Sequence, residues 1–153
     1  MDFEFIGPTD KPAMVLLSTP DWLEAAKAAL AELGYKVHAP ASHDEFSQRF
    51  GQVQYQVVIT ELLFAASSSD ENASLSSLQH MPMAMRRHAV VILIGHEFQS
   101  LSAMQAFQQS VHAVVNPRQL ASLAQIIQQA VAENDLRLAV LRDTQLRIAK
   151  GTI

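Results

Sequence analysis

The feature that most constrains this chain is an alternation: five short apolar, β-branched runs are separated by stretches with helical spacing. That order is what βαβ units require, because parallel strands need crossover connections and helices supply them. The expected strands are Ala13–Leu17, Tyr35–Ala39, Tyr55–Leu62, Ala89–Ile94 and His112–Val115. The third and fourth are nearly continuous apolar runs flanked by turn residues, as strands buried on both faces must be. With 49% apolar and 17% charged residues in 153, there is material for one core and no room for a second full domain. The expectation is a three-layer α/β domain: a doubly wound, five-stranded parallel sheet with helices on both faces.

The helices follow from spacing and caps. Ser18 and Thr19 read as capping hydroxyls before Pro20, and Trp22, Leu23, Ala26, Leu30 and Leu33 then share one side of a first helix closed by Gly34. A second spans His43–Phe50, capped by Ser42 or Asp44, with Phe46 and Phe50 inward. The polar stretch AASSSDENASLSS reads as a surface loop entering a third helix that holds Leu75, Leu78 and the run HMPMAMRRH, either kinked at Pro82 or restarting there. A fourth, Ser100–Ser110, is expected to bury Leu101, Met104 and Phe107.

The last helix is expected from near Arg118 to about Lys150, with no Gly or Pro inside it, longer than a small domain covers at about 1.5 Å per residue. Leu120, Ala124, Ile127, Val131, Asn134, Leu138, Leu141, Gln145 and Ile148 form a seam along it with two polar breaks. The domain is therefore placed at residues 1–134, with 135–153 as a helical extension. A projecting helix is marginal alone in water, so Leu138, Leu141, Gln145 and Ile148 are expected to meet a second copy or another protein. The alternative is a break near Asn134–Asp135 that folds the helix back.

Several classes of chemistry are excluded. Without cysteine there are no disulfides, thiolate nucleophiles or Cys-ligated metals, which fits a reducing cytoplasm. No basic region followed by a long apolar run opens the chain, and its longest apolar stretch is far shorter than the roughly 20 residues of a membrane span. A net charge of −4 argues against nucleic acid. The glycines form no phosphate-cradling motif, and no GxSxG elbow occurs. His38, His43, His80, His88, His96 and His112 lack metal-site spacing. Met81, Met83 and Met85 read as gap-fillers or an adaptable surface, and Arg86-Arg87 as a solvated helix end. No metal, cofactor or catalytic residue is expected.

Over about Met14–Val131 this pattern resembles the receiver domain of bacterial two-component response regulators, carried best by YQVVITELLF and by VVNP. The resemblance implies a flavodoxin-like strand order, 2-1-3-4-5. It also implies a phosphoryl pocket: an acidic pair after strand one, an aspartate after strand three, a hydroxyl after strand four and a lysine before a proline after strand five. Here Ser18 and Thr19 stand for the acidic pair, Glu61 for the aspartate, Ile94 or Gly95 for the hydroxyl, and Asn116 for the lysine. Phosphoryl transfer works by positioning and charge neutralisation, so these replacements disable it.

The functional expectation is thus a non-catalytic pseudo-receiver, acting through protein contacts and dimerising through its last helix. In the receiver family the face of helix four, strand five and helix five is the usual output surface. Glu61 is either a fixed charge imitating the phosphorylated state or a locally hydrogen-bonded carboxylate without a role. The alternative function is a small-ligand or metal sensor using Ser18, Thr19, Glu61 and His96 at the strand ends, where open α/β sheets bind ligands. A weaker third is phosphorylation at Glu61 or Thr60.

Overall fold

A computed structural model describes residues 6–66, 71–82 and 88–151. The central strands form where β-branched residues run without polar interruption: β3 (Val57–Glu61) and β4 (Val90–Ile94) are buried at every position. With β1 (Lys11–Leu16), β2 (Tyr35–His38) and β5 (Ala113–Val115) they make a parallel sheet of order β2-β1-β3-β4-β5, as the resemblance implied. The register sets Val15 beside Ile59, Ile59 beside Ile92, and Glu61 beside Ile94. Lys11 and Pro12 join β1 ahead of the expected start, Pro12 contributing only its carbonyl, which accepts from the Gln56 N–H at 2.9 Å.

Alternate strand residues point to opposite layers. On one face Val15, Val57, Ile59, Ile92 and Ile94 pack against Ala26 and Leu30 of α1 (Pro20–Glu32) and against Leu123, Ile127 and Ala130 of α5 (Leu123–Ala149). On the other, Met14, Leu16, Val58, Val91, Leu93 and Val114 meet Phe46 of α2 (His43–Phe50), Leu75 and Leu78 of α3 (Ala73–Gln79), and Ala106 of α4 (Ala103–Gln109). Ser42 is the α2 cap: its hydroxyl accepts from the Glu45 N–H at 3.2 Å, while Glu45 accepts from the Ala41 N–H at 2.9 Å. No helix among the described residues is long and apolar enough to cross a membrane.

Three expectations need correction. Leu101, Met104 and Phe107 are not buried; they are 44%, 67% and 81% exposed. Ser102 caps α4, leaving Leu101 outside the helix at φ 63°, and the core face of this short helix is Ala106, with Phe98 and Val111 filling the space beside it. Second, of the two courses expected at Pro82 the continuous, kinked helix is excluded, since α3 ends at Gln79, capped at His80; a restart at Pro82 falls on Met83, Met85, Arg86 and Arg87, outside the described residues. Third, the last α-helix starts at Leu123, because Pro117–Ser122 forms a 3₁₀ segment in which Gln119 leaves helical geometry. That helix then continues unbroken past Asn134. Asn134 is buried, Leu138 half-buried, and every residue from 139 to 151 exposed.

Tyr55 precedes β3 and is nonetheless almost fully buried, its ring stacked on Phe50 and its hydroxyl 2.6 Å from Nδ1 of the buried His38. Burial pushes its phenol from the ordinary 10.0 up to about 12. The unfolded chain therefore releases this proton before the folded one, and the stabilisation present below pH 10 is lost as pH rises toward about 12. Burial and the charge of Asp135 raise Tyr35 in the same direction. Urea unfolding at about pH 9 and about pH 11 is expected to show this loss, with a shallower fall in Tyr55→Phe.

Candidate functional site

The strand ends converge on Glu61, the last residue of β3, only 6% exposed. Its carboxylate turns toward the loop between β1 and α1. One oxygen accepts from the Ser18 N–H and, at 2.9 Å, from the Thr19 N–H; the other accepts the Thr19 hydroxyl at 3.0 Å. Thr19 is the N-cap of α1 by position, but its side chain makes no capping bond, and Pro20 behind it brings no N–H. The expected capping role of Thr19 is therefore corrected: its hydroxyl serves Glu61, and a carboxylate from the adjacent strand supplies the negative charge a helix N-terminus favours. Ser18 does not cap α1 either; its hydroxyl accepts from the Ala65 N–H at 2.9 Å, drawing in the loop after β3.

That loop is tied from a second side by Asn72. Fully buried, its amide donates to the carbonyls of Glu61 and Leu62, both at 3.0 Å, while its oxygen caps α3 by accepting from the Leu75 N–H at 3.0 Å. The hydroxyl of Thr60 donates to the Glu61 carbonyl at 3.2 Å and is fully buried. Among the described residues no buried side-chain nitrogen or oxygen lacks a partner.

The remaining positions are arranged around apolar and structural contacts. Ile94 is fully buried. Gly95 follows, and a Cβ there would strike the Glu97 carboxylate and the Phe98 ring, so the close folding of this loop requires glycine. Asn116 donates its amide to the carbonyls of His96 (3.2 Å) and Phe98 (2.9 Å) and accepts from the Arg118 N–H (2.9 Å). Where the resemblance places a cationic group, the structure has an amide that pins the β4–α4 loop and starts the 3₁₀ segment. Beside Glu61 opens a cleft of about 210 Å³ lined by Trp22, Ile94, Gly95, His96 and Glu97, with Trp22 and His96 in edge contact, ring centroids 5.3 Å apart. The structure thus brings Ser18, Thr19 and Glu61 into one hydrogen-bonded unit and sets Asn116 apart from it. Among the described residues, no three His, Asp or Glu side chains converge in a way that would hold a metal.

Sequence reasoning missed Asn72, Trp22 and Glu97. Asn72 sits three residues before Leu75 in a polar loop, the place of a helix cap, and that signal was readable. Trp22 lies on the apolar side of α1, and nothing in its spacing separates a rim position from the core.

The sheet order, its two helical layers and a carboxylate closing the central strand define a receiver-like domain. No family model and no curated protein sequence matches the chain. Solved structures do. NtrX from Brucella abortus, in complex with ADP, is 14% identical with a TM-score of 0.67, covering 94% of this chain and 30% of its own. The chain thus spans about 30% of that protein's length. A response regulator from Hahella chejuensis is 12% identical, TM-score 0.54, covering 82% and 93% of the two chains. A CheY-like protein, TadZ, from Pseudomonas aeruginosa is 16% identical, TM-score 0.54, covering 79% and 99%. At these identities the likeness is one of fold.

Removing the Glu61 carboxylate leaves two loop N–H groups and a hydroxyl without their charged acceptor. Glu61→Ala is expected to cost about 2–4 kcal/mol in urea unfolding, and Glu61→Gln less, since its amide oxygen still accepts. Unchanged stability in Glu61→Ala would show that the unit does not hold the loop.

Proposed function

We propose that this domain is a pseudo-receiver: a non-catalytic, phosphorylation-independent module that acts through protein contacts and associates with itself through the exposed part of α5. The observation that carries this reading is the engagement of Glu61. A phosphoacceptor must present a free carboxylate oxygen to the incoming phosphorus, with a divalent metal and a cation to neutralise the added charge. Here both Glu61 oxygens are held by the loop after β1, the neighbouring positions are Ser18, Thr19, Ile94 and Gly95, and Asn116 is engaged elsewhere. Self-association is supported by α5 beyond Asn134, which leaves Leu136, Val140, Leu141, Leu146 and Ile148 in water. Leu101, Met104 and Phe107 add an apolar ridge on the face of α4, β5 and α5.

A second reading has its own observation. The cleft walled by Trp22 and His96 sits at the carboxyl ends of the strands and offers an aromatic surface beside Glu61 and Glu97, the setting of a small-ligand sensor.

Incubation with acetyl phosphate and Mg²⁺ is expected to leave the intact mass unchanged, and beryllium fluoride with Mg²⁺ to leave thermal stability unchanged; a phosphoryl adduct on Glu61 or Thr60 overturns the reading. Light scattering of the full chain is expected to give a dimer that a Leu141→Glu, Ile148→Glu variant loses, and a monomeric full chain removes self-association. A thermal shift with flavins, nucleotides, Mg²⁺ or Zn²⁺ that Trp22→Ala abolishes favours the sensor.

A further inference from the structure

α5 has two unlike sides. Leu123, Ile126, Ile127, Ala130 and Asn134 face the domain and are buried. On a second side, about a third of a turn round the helix from them, Gln129, Glu133, Leu136, Val140, Asp143 and Arg147 run at alternating spacings of four and three, all exposed. The middle of this outward stripe is apolar: Leu136 is 67% and Val140 59% exposed. Its ends are charged, with Glu133 paired to Arg137 at 4.0 Å and Asp143 paired to Arg147 at 3.2 Å.

The order of these charges selects an occupant. If a second copy lies antiparallel with Val140 against Val140, positions equally distant on either side of 140 become neighbours. Glu133 then meets the partner's Arg147, and Arg137 meets the partner's Asp143, so each internal pair is extended across the interface by opposite charges. A parallel, in-register pair sets Glu133 on Glu133, Asp143 on Asp143 and Arg147 on Arg147, which is repulsive throughout. The antiparallel arrangement also keeps the two domain bodies apart, since they lie at opposite ends of the helix pair.

We propose that two copies of this chain pair antiparallel along the outward stripe of α5, with Val140 at the two-fold axis and the partner's last helical turn seated in the groove between α4 and α5. That groove, about 340 Å³, is lined by Leu101, Phe107, Val111, Gln129, Glu133 and Arg137. The two-fold axis stands perpendicular to both helices, so the groove side of one helix remains the groove side of the other. Arg137, Leu141, Thr144 and Ile148 follow one another on that side, which brings the partner's Ile148 beside Phe107. This accounts for an α4 that presents Met104 and Phe107 outward. Leu138 and Gln145, on the domain side of α5, take no part. The proposal rests on the self-association reading above and adds the direction and the face.

The absence of cysteine allows a direct test on the full chain. Single variants Val140→Cys, Glu133→Cys and Arg147→Cys are treated with a short bismaleimide at a concentration where the wild type scatters light as a dimer. Val140→Cys is expected to cross-link to itself, Glu133→Cys and Arg147→Cys alone to remain uncross-linked, and an equimolar mixture of those two to form a heterodimer. Self-cross-linking at 133 and at 147 means parallel helices and overturns the direction while leaving self-association intact; a monomeric wild type overturns both. Val140→Glu is expected to raise the dimer dissociation constant about tenfold or more, and an unchanged constant overturns the stripe.

Discussion

The carboxylate of Glu61 is the point on which the strand-end face of this domain depends. It lies at the end of the central strand, buried, where an isolated negative charge is costly. Two backbone N–H groups and one hydroxyl, all from the loop after β1, offset that cost. Everything nearby is arranged around this contact. The loop after β3 hangs on the Ser18 hydroxyl and on Asn72, and the start of α1 is oriented by a charge it does not itself carry.

On the proposed reading, the same contact stands in place of phosphoryl chemistry. A metal and a phosphoryl group together need negative ligands around the metal and a cation beside the phosphoryl oxygens. Here the loop after β1 supplies donors, and a donor opposes a metal. Asn116, an amide engaged with three backbone groups, closes the β4–α4 loop. It is on this arrangement that the proposed reading of a constitutive interaction module rests.

The fold was legible because it rests on burial. Strands such as VVITE and VVILI have no other satisfactory place than the middle of a sheet, and their alternation with amphipathic segments leaves few topologies. The site was legible only as a set of positions. That Glu61 turns toward Ser18 and Thr19 is a choice of rotamer and loop path, and no pattern of residue types encodes it. The apolar spacing of Leu101, Met104 and Phe107 was misleading for a physical reason: periodicity reports that a helix has an apolar side and not what covers it. In α4 the residue facing the core is the small Ala106, and the large ones face outward. The last helix shows the same limit, since its seam is buried or half-buried as far as Asn134, Leu138 is half-buried and the positions beyond are exposed.

Of the nine large apolar residues that are exposed among the described ones, eight belong to α5 beyond Asn134, to α4 or to Leu101 just before it. Scattered singly they would need no explanation, but they are concentrated on two elements that share a groove. A solitary helix of this length beyond its domain loses little by fraying, and its sequence nonetheless omits Gly and Pro from Arg118 to Lys150. The charges on its outward side are ordered acid before base twice over, a pattern that supports the helix from within and complements its own reverse. On the proposed pairing, local support and self-complementarity arise from the same four side chains, and the helix that closes the core on one side offers another side to a copy of itself.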